Sequence, residues 1–460
     1  MMHQARVSEY GRLWIQGRGS NVRWEDGRTD AVPMALFERL RDADLRRKRQ
    51  KLEPVFDWSY RDFAKANSIV GVVSVPGVQV EVLPKIHRAA LAAGSRTESS
   101  AQSPTAGRTD LLQMLRYAGI IESTGDQIAR LAAGRAPFGD TLVRLFADGL
   151  TVELQRGMPR EYLRRRGDLP FIRGRVDWPK QFTRNLGRPH IFACRYDAFE
   201  TDHALHRVFK ATARALLDAR PSAPTEERLR TIVALLDDVE DIPLSPDLAE
   251  RVHLDRRLSR FGAALDFCRL FARGMGTESR QGAWQSHSLL FDMNAVYEGF
   301  VAGFIETELL KRLPDPFFKD CEQWTQGAQR DGSSRFLVYT PDKPAKGLLR
   351  LKPDIRLTRG AETVVVDTKW KVPALKRDRP EPDRDDLYQM YAYAREYGAR
   401  VTILLYPETP SFTQTEFRTE QGKGHAIWLR AVPMPNDLGS ASGREIVRNA
   451  LMKIIMSAFN

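Results

Sequence analysis

Hydrophobic positions near the start of the chain fall in short β-branched runs, and later ones recur at helical spacing. Ile69–Val75 and Val78–Leu83 flank the turn pair Pro76-Gly77 and predict two strands, with a shorter one at 11–15. The charge-dense stretch 44–51 between them predicts a helix. Residues 89–108 turn to Ala, Ser, Gly and Thr, too poor in apolar surface to offset ordering entropy, and predict a mobile loop. Helical periodicity resumes at Thr109-Asp110 and dominates 203–280, where one long helix is expected at 248–271. Met293, Val296, Tyr297, Phe300, Val301, Phe304 and Ile305 line one face of a strong helix over 291–310. Two strands follow at 347–357 and 362–371, joined by a hairpin turn at 358–361. A helix at Arg384–Tyr397 ends at Gly398, and a strand at 400–406 stops at Pro407. Helix, hairpin, helix and strand make an α/β core.

These shifts divide the chain into a β-rich N-terminal domain (1–160), a basic and helical region (161–285) and a C-terminal α/β core (286–460). Composition narrows the class. Of 460 residues 42% are hydrophobic and 28% charged, which excludes a disordered chain. No apolar run approaches the roughly 20 residues of a membrane span, and the polar N-terminus lacks a secretory core. The three cysteines, Cys194, Cys268 and Cys321, lie far apart, so neither a disulfide framework nor a thiolate zinc site is expected. A cytoplasmic setting without membrane contact follows as an expectation. Lys and Arg number 71 against 59 Asp and Glu, a net charge of +12 that favours a polyanionic partner. Ten of the basic residues fall within 156–188, interleaved with Tyr162, Phe171, Trp178 and Phe182, a pattern equally suited to tracking phosphates or to a solvated face. His203 and His206, with Cys194 nearby, read as helix-face histidines rather than zinc ligands.

The chemistry concentrates in the expected hairpin. Asp367 and Lys369 share a face of the second strand, and Pro353-Asp354 on the first brings another carboxylate beside them. Two convergent carboxylates with an adjacent ammonium suit a hard cation such as Mg²⁺, which activates water and offsets charge at a scissile phosphorus. Asp354 and Asp367 are the metal candidates, with Lys369 stabilising the transition state. Glu298, in the middle of an apolar helix, needs a metal or a lysine to justify its place, and it is the third metal candidate. Gln389 and Tyr393, four apart on one helical face, could bond Lys369 or a DNA backbone. No phosphate-binding Gly-x-x-x-x-Gly-Lys-Ser/Thr loop occurs, so nucleotide hydrolysis by this chain alone is not expected.

The ordered set Pro353-Asp354, Asp367-Thr368-Lys369-Trp370-Lys371, Gln389 and Tyr393 resembles the PD-(D/E)xK nucleases. More narrowly it resembles the McrC family, the nuclease subunits of 5-methylcytosine-dependent restriction systems. Val80-Glu81-Val82-Leu83-Pro84-Lys85-Ile86 and Leu289-Leu290-Phe291-Asp292-Met293-Asn294 with Tyr297-Glu298 resemble two further family motifs. The resemblance implies a PD-(D/E)xK restriction-endonuclease-like core, Asp354, Asp367 and Lys369 as catalytic residues, and double-stranded DNA as substrate. It also implies a McrB-like hexameric AAA+ GTPase partner that supplies base recognition, with the N-terminal half of this chain docking on the ring. Residues 89–108 and 203–280 look larger than the family minimum. Two other readings stay open at this point: a non-catalytic activator of the motor, and a stand-alone DNA repair nuclease.

Overall fold

Val-rich runs that cannot face water on either side end up in sheets covered on both faces, and helices with an apolar stripe cover them. The computed structural model describes residues 3–19, 28–85, 104–132, 136–274, 287–326, 335–341, 343–376, 379–410, 412–420, 424–435 and 437–460. They form a mixed α/β fold in two compact units, Met1–Gly139 with Ser288–Asn460, and Asp140–His287. The sequence reading separates 1–160 from 286–460; here the N-terminal strands and the C-terminal core instead share one unit. The reason is long-range pairing. The strand His287–Asp292 completes a sheet of order His3–Ser8, Val78–Leu83, Ile69–Val75, His287–Asp292, so the chain returns to its own beginning.

The centre of the first unit is a six-stranded sheet, ordered Cys321–Thr325, Ile355–Arg359, Glu362–Thr368, Val401–Pro407, Ala426–Val432, Thr415–Arg418. Glu362–Thr368 runs antiparallel to Ile355–Arg359 and parallel to Val401–Pro407. Its residues Val364, Val365 and Val366 are all buried, as a doubly covered strand requires. Arg384–Tyr397 crosses between the parallel pair and lays Met390, Tyr393 and Tyr397 against Val365, Leu404, Tyr406, Ile427 and Leu429. Met293–Phe304 and Ala441–Phe459 also pack against Glu362–Thr368. Gly398 takes a left-handed φ of 60° directly after Arg384–Tyr397 and ends it as expected.

Three expectations change. The strand expected at 347–357 is split: Lys343–Arg350 pairs with Phe336–Thr340 in a separate ribbon, and Ile355–Arg359 enters the main sheet. Pro353 lies in the gap, where a residue without an N–H cannot serve a ladder. The expected loop 89–108 lies outside the described residues up to 103, and from Pro104 it is already helix, Pro104–Tyr117. Arg108 pins that helix by donating to buried Glu81 at 2.6 and 2.7 Å. The long helix at 248–271 is interrupted between Pro246–Glu250 and Gly262–Gly274. Asp255 Oδ1 accepts from the backbone N–H groups of Arg257 and Leu258, a side-chain turn that competes with helix.

The second unit holds a three-stranded sheet, Glu161–Leu169, Phe192–Glu200 and Arg175–Val176 in that order, beside a helical core around Phe209, Phe261, Phe267 and Phe271. Tyr162, Phe171, Trp178 and Phe182 of the basic stretch are exposed. Arg165 is committed to Glu200 at 3.0 Å. His203 and His206 are buried, each bonded to a backbone carbonyl, Pro159 and Thr201. Among the described residues no helix is long and apolar enough to cross a membrane.

Candidate active site

The register of the hairpin builds the site. Ile355 faces Val366 in the last pair of the ladder, so the residues that follow on each side, Asp354 and Asp367, are brought close together. Asp354 is locked there: its Oδ2 accepts from the Thr368 backbone N–H at 2.7 Å and from Thr368 Oγ1 at 2.8 Å. Lys369 leaves the strand still tied to the sheet, its backbone N–H donating to Leu405 at 2.9 Å. Its Nζ lies 2.7 Å from Asp367 Oδ2 and 3.3 Å from Asp386 Oδ1. It also donates to Gln389 Oε1 at 3.2 Å, and Gln389 Nε2 donates to Tyr393 OH at 2.9 Å. Asp354, Asp367, Lys369, Gln389 and Tyr393 therefore converge in this structure.

Glu298 reaches the same place from the helix Met293–Phe304. Gln326, just past the strand Cys321–Thr325, bonds the Glu298 carboxylate, and its backbone N–H donates to the Asp354 carbonyl at 3.2 Å. Burial and the nearby Asp354 charge push Glu298 up to about 7, against the Gln326 bond and Lys369. Burial likewise raises Asp354, opposed by Thr368 and Lys369. Burial pulls Lys369 down, but Asp367 and Asp386 outweigh it and raise its ammonium above the usual lysine value. Carboxylates close together in low dielectric resist sharing negative charge, and the remedy is a proton or a cation.

Two groups of the site escape the sequence reading. Asp386 bridges Lys369 and Lys371, accepting from Lys371 Nζ at 2.8 Å, while Asp383 also pairs with Lys371. Its signal was the spacing: Asp386 precedes Gln389 by one helical turn on the same face. Gln326 had no local signal at all.

The donor set fits a hard cation. Asp367 Oδ2 is buried, and among the described residues its partner is the Lys369 ammonium at 2.7 Å. Among the described residues no three His, Cys, Asp or Glu side chains form a ready-made metal cluster. Mg²⁺ does not need one, since it keeps several waters and binds through one or two carboxylates plus substrate phosphate. Asp354 and Asp367 would supply those carboxylates, with Glu298 beside them. Stability should report this. Burial and the Asp354 charge push Asp367 from 3.8 up to about 7, so the metal-free folded state holds a proton that the unfolded chain releases. The stabilisation from that proton is full below the unfolded value and lost as pH rises through the folded one. Metal-free wild type is therefore expected to lose thermal midpoint relative to Asp367→Asn between about pH 4 and pH 8. Added Mg²⁺ should recover the loss in wild type only, and calorimetry across that range measures both.

A family model described as McrBC 5-methylcytosine restriction system component matches residues 64–407. Over 98% of this chain and 100% of the other, the fold is similar, at 20% identity and TM-score 0.60, to a refined half-complex from a tetradecameric assembly of Thermococcus gammatolerans McrB AAA+ hexamers with bound McrC. A cryo-EM structure of the Thermococcus gammatolerans McrBC complex aligns with TM-score 0.48 and 19% identity, over 67% of this chain and 89% of that one. No curated protein matches the sequence.

Proposed function

The chain belongs to the McrBC 5-methylcytosine restriction system component family, and from that premise we propose that it is the system's McrC-type subunit, the one that cleaves DNA. The reaction is Mg²⁺-dependent hydrolysis of a phosphodiester in double-stranded DNA by a PD-(D/E)xK site. One observation carries the reading: Asp354, directly before Ile355–Arg359, lies near enough to Asp367 on the neighbouring strand for its charge to raise it, with the Lys369 ammonium 2.7 Å from Asp367.

Each residue has a role. Asp354 and Asp367 would hold Mg²⁺, which when bound acidifies a water and offsets charge at the phosphorus. Lys369, charged and aimed by Asp367, Asp386 and Gln389, stabilises the negative charge that builds on the phosphate oxygens. Tyr393 holds Gln389, and Gln389 holds the lysine. Glu298, raised to about 7, is able to carry a proton beside Asp354 at neutral pH.

The motor is a partner, a McrB-like hexameric AAA+ GTPase, which also supplies recognition of the modified base; the N-terminal half of this chain docks on it. The similarity to a structure of McrB AAA+ hexamers with bound McrC supports this assignment. The test is cleavage of 5-methylcytosine-containing DNA by the chain with such a partner and GTP. Cutting is expected with Mg²⁺ and none in EDTA. Cutting that persists at the same rate in EDTA refutes the reading.

A further inference from the structure

Glu9 is a buried carboxylate that the mechanism above does not use. It follows the strand His3–Ser8, is fully shielded from solvent, and is held by Trp370, Tyr10 and the Lys85 backbone N–H, with no guanidinium or ammonium partner among the described residues. Burying a carboxylate without a cation is costly, so its hydrogen bonds should have a use. Both its oxygens lie 3.0 Å from the indole nitrogen of Trp370, across 361 residues of sequence. Its own backbone is anchored, the N–H donating to Leu83 at 2.8 Å. The next residue, Tyr10, turns the chain at a φ of 57°, a conformation uncommon for a residue with a side chain. Trp370 is buried, and its ring meets Tyr297 at 5.2 Å between centroids. Tyr297 immediately precedes Glu298, and Trp370 immediately follows Lys369.

The Lys369 side chain is aimed by Asp367, Asp386 and Gln389, but its backbone is less firmly held. It lies just beyond the last ladder residue, Thr368, with one backbone bond to the sheet. A side chain displaced by about 1 Å from its working geometry loses about 100-fold in rate. Resting on the nuclease reading above, we infer that Glu9 is a positioning residue: by gripping the Trp370 N–H, it lets the N-terminal sheet hold Lys369 in place for catalysis. The Glu9–Trp370 bond thus joins the N-terminal strands to the residue next to Lys369 by a contact that is not part of the six-stranded sheet. Burial lifts the Glu9 carboxyl to about 7 against the Trp370 bond, a sign of how costly the arrangement is.

The test uses the full chain with its AAA+ partner, and two readouts. Glu9→Ala is expected to slow cleavage by about 10- to 100-fold at saturating DNA and Mg²⁺, with KM little changed. Glu9→Gln, which keeps an acceptor oxygen for the indole, should restore most of the rate. The second readout needs no cleavage: acylation of Lys369 by an amine-reactive ester, followed by mass spectrometry, should run several-fold faster in Glu9→Ala and near the wild-type rate in Glu9→Gln. Should Glu9→Ala not fold, Trp370→Phe removes only the N–H, keeps a ring against Tyr297, and should give the same increase. A folded Glu9→Ala or Trp370→Phe protein whose Lys369 reacts at the wild-type rate overturns the inference. Faster labelling in a chain whose wild type never cuts DNA would support the positioning role while removing the nuclease reading.

Discussion

Asp354→Asn should abolish DNA cleavage, a fall of about a thousandfold or more, while the protein folds as before. The asparagine oxygen can still accept from Thr368 N and Oγ1, the two bonds that lock Asp354 at 2.7 and 2.8 Å, so the end of the hairpin keeps its shape. What is lost is the charge that would hold the cation opposite Asp367. The substitution also removes a repulsion, because the Asp354 charge raises both Asp367 and Glu298. The thermal midpoint of the metal-free variant should therefore match or exceed that of wild type. Lys369→Ala should lose activity to the same extent for a different reason: the ammonium that stabilises charge on the phosphate oxygens is gone, and Asp367 loses the ion pair at its buried Oδ2. Plasmid nicking and linearisation with the AAA+ partner and GTP measure both variants. Stimulation of the partner's GTP hydrolysis by Asp354→Asn separates a dead nuclease from a lost complex. An Asp354→Asn protein that cuts within about tenfold of wild type would leave a non-catalytic activator, or a different active site, as the better account.

How far the sequence reveals this site depends on the distance each interaction spans. Strand alternation predicts Asp367 and Lys369 on one face, and although the strand stops at Thr368 the Lys369 ammonium lies 2.7 Å from Asp367; the Val-rich run identifies the strand, and both signals are local. Gln389 and Tyr393 sit one helical turn apart and meet at 2.9 Å for the same reason. The failures are places where a distant partner decides. Residues 347–357 read as one strand because their composition is uniform, yet pairing with Phe336–Thr340 captures the first part and Pro353 breaks the rest. The grouping of the N-terminal strands with the C-terminal core has the same long-range origin. Nothing near Glu9 points to Trp370, and nothing near Tyr117 points to Glu308, whose carboxylate accepts from the tyrosine hydroxyl at 2.9 Å. A count of strands and helices along the chain cannot see that the first sheet is finished by the strand His287–Asp292.

That closing strand makes Gly71 the position where one added methyl should cost the most stability. Gly71 lies inside Ile69–Val75 at a φ of 124°, where a residue with a side chain is strained, and a Cβ there would overlap the carbonyl oxygen of Leu289 on His287–Asp292. Strain alone is worth about 1–3 kcal/mol. The overlap adds to it, because the obstacle is backbone and cannot swing aside. Gly71→Ala is thus expected to destabilise by about 3 kcal/mol or more and to lower the thermal midpoint by at least about 5 °C. Gly398→Ala provides the comparison. Its φ of 60° is also left-handed, but nothing lies within 4 Å of the added carbon, so only the strain remains, about 1–2 kcal/mol. The damage at Gly71 should not stop at the sheet. His287–Asp292 leads into the helix that bears Glu298, and the first N–H of that helix donates to Ser68 at 3.0 Å. Pushing the strand away from Gly71 pulls on Glu298, so Gly71→Ala should also cut more slowly below its midpoint, whereas Gly398→Ala should not. Equal midpoints for the two variants in calorimetry would mean that the two strands separate freely, and that the N-terminal sheet does not brace the site.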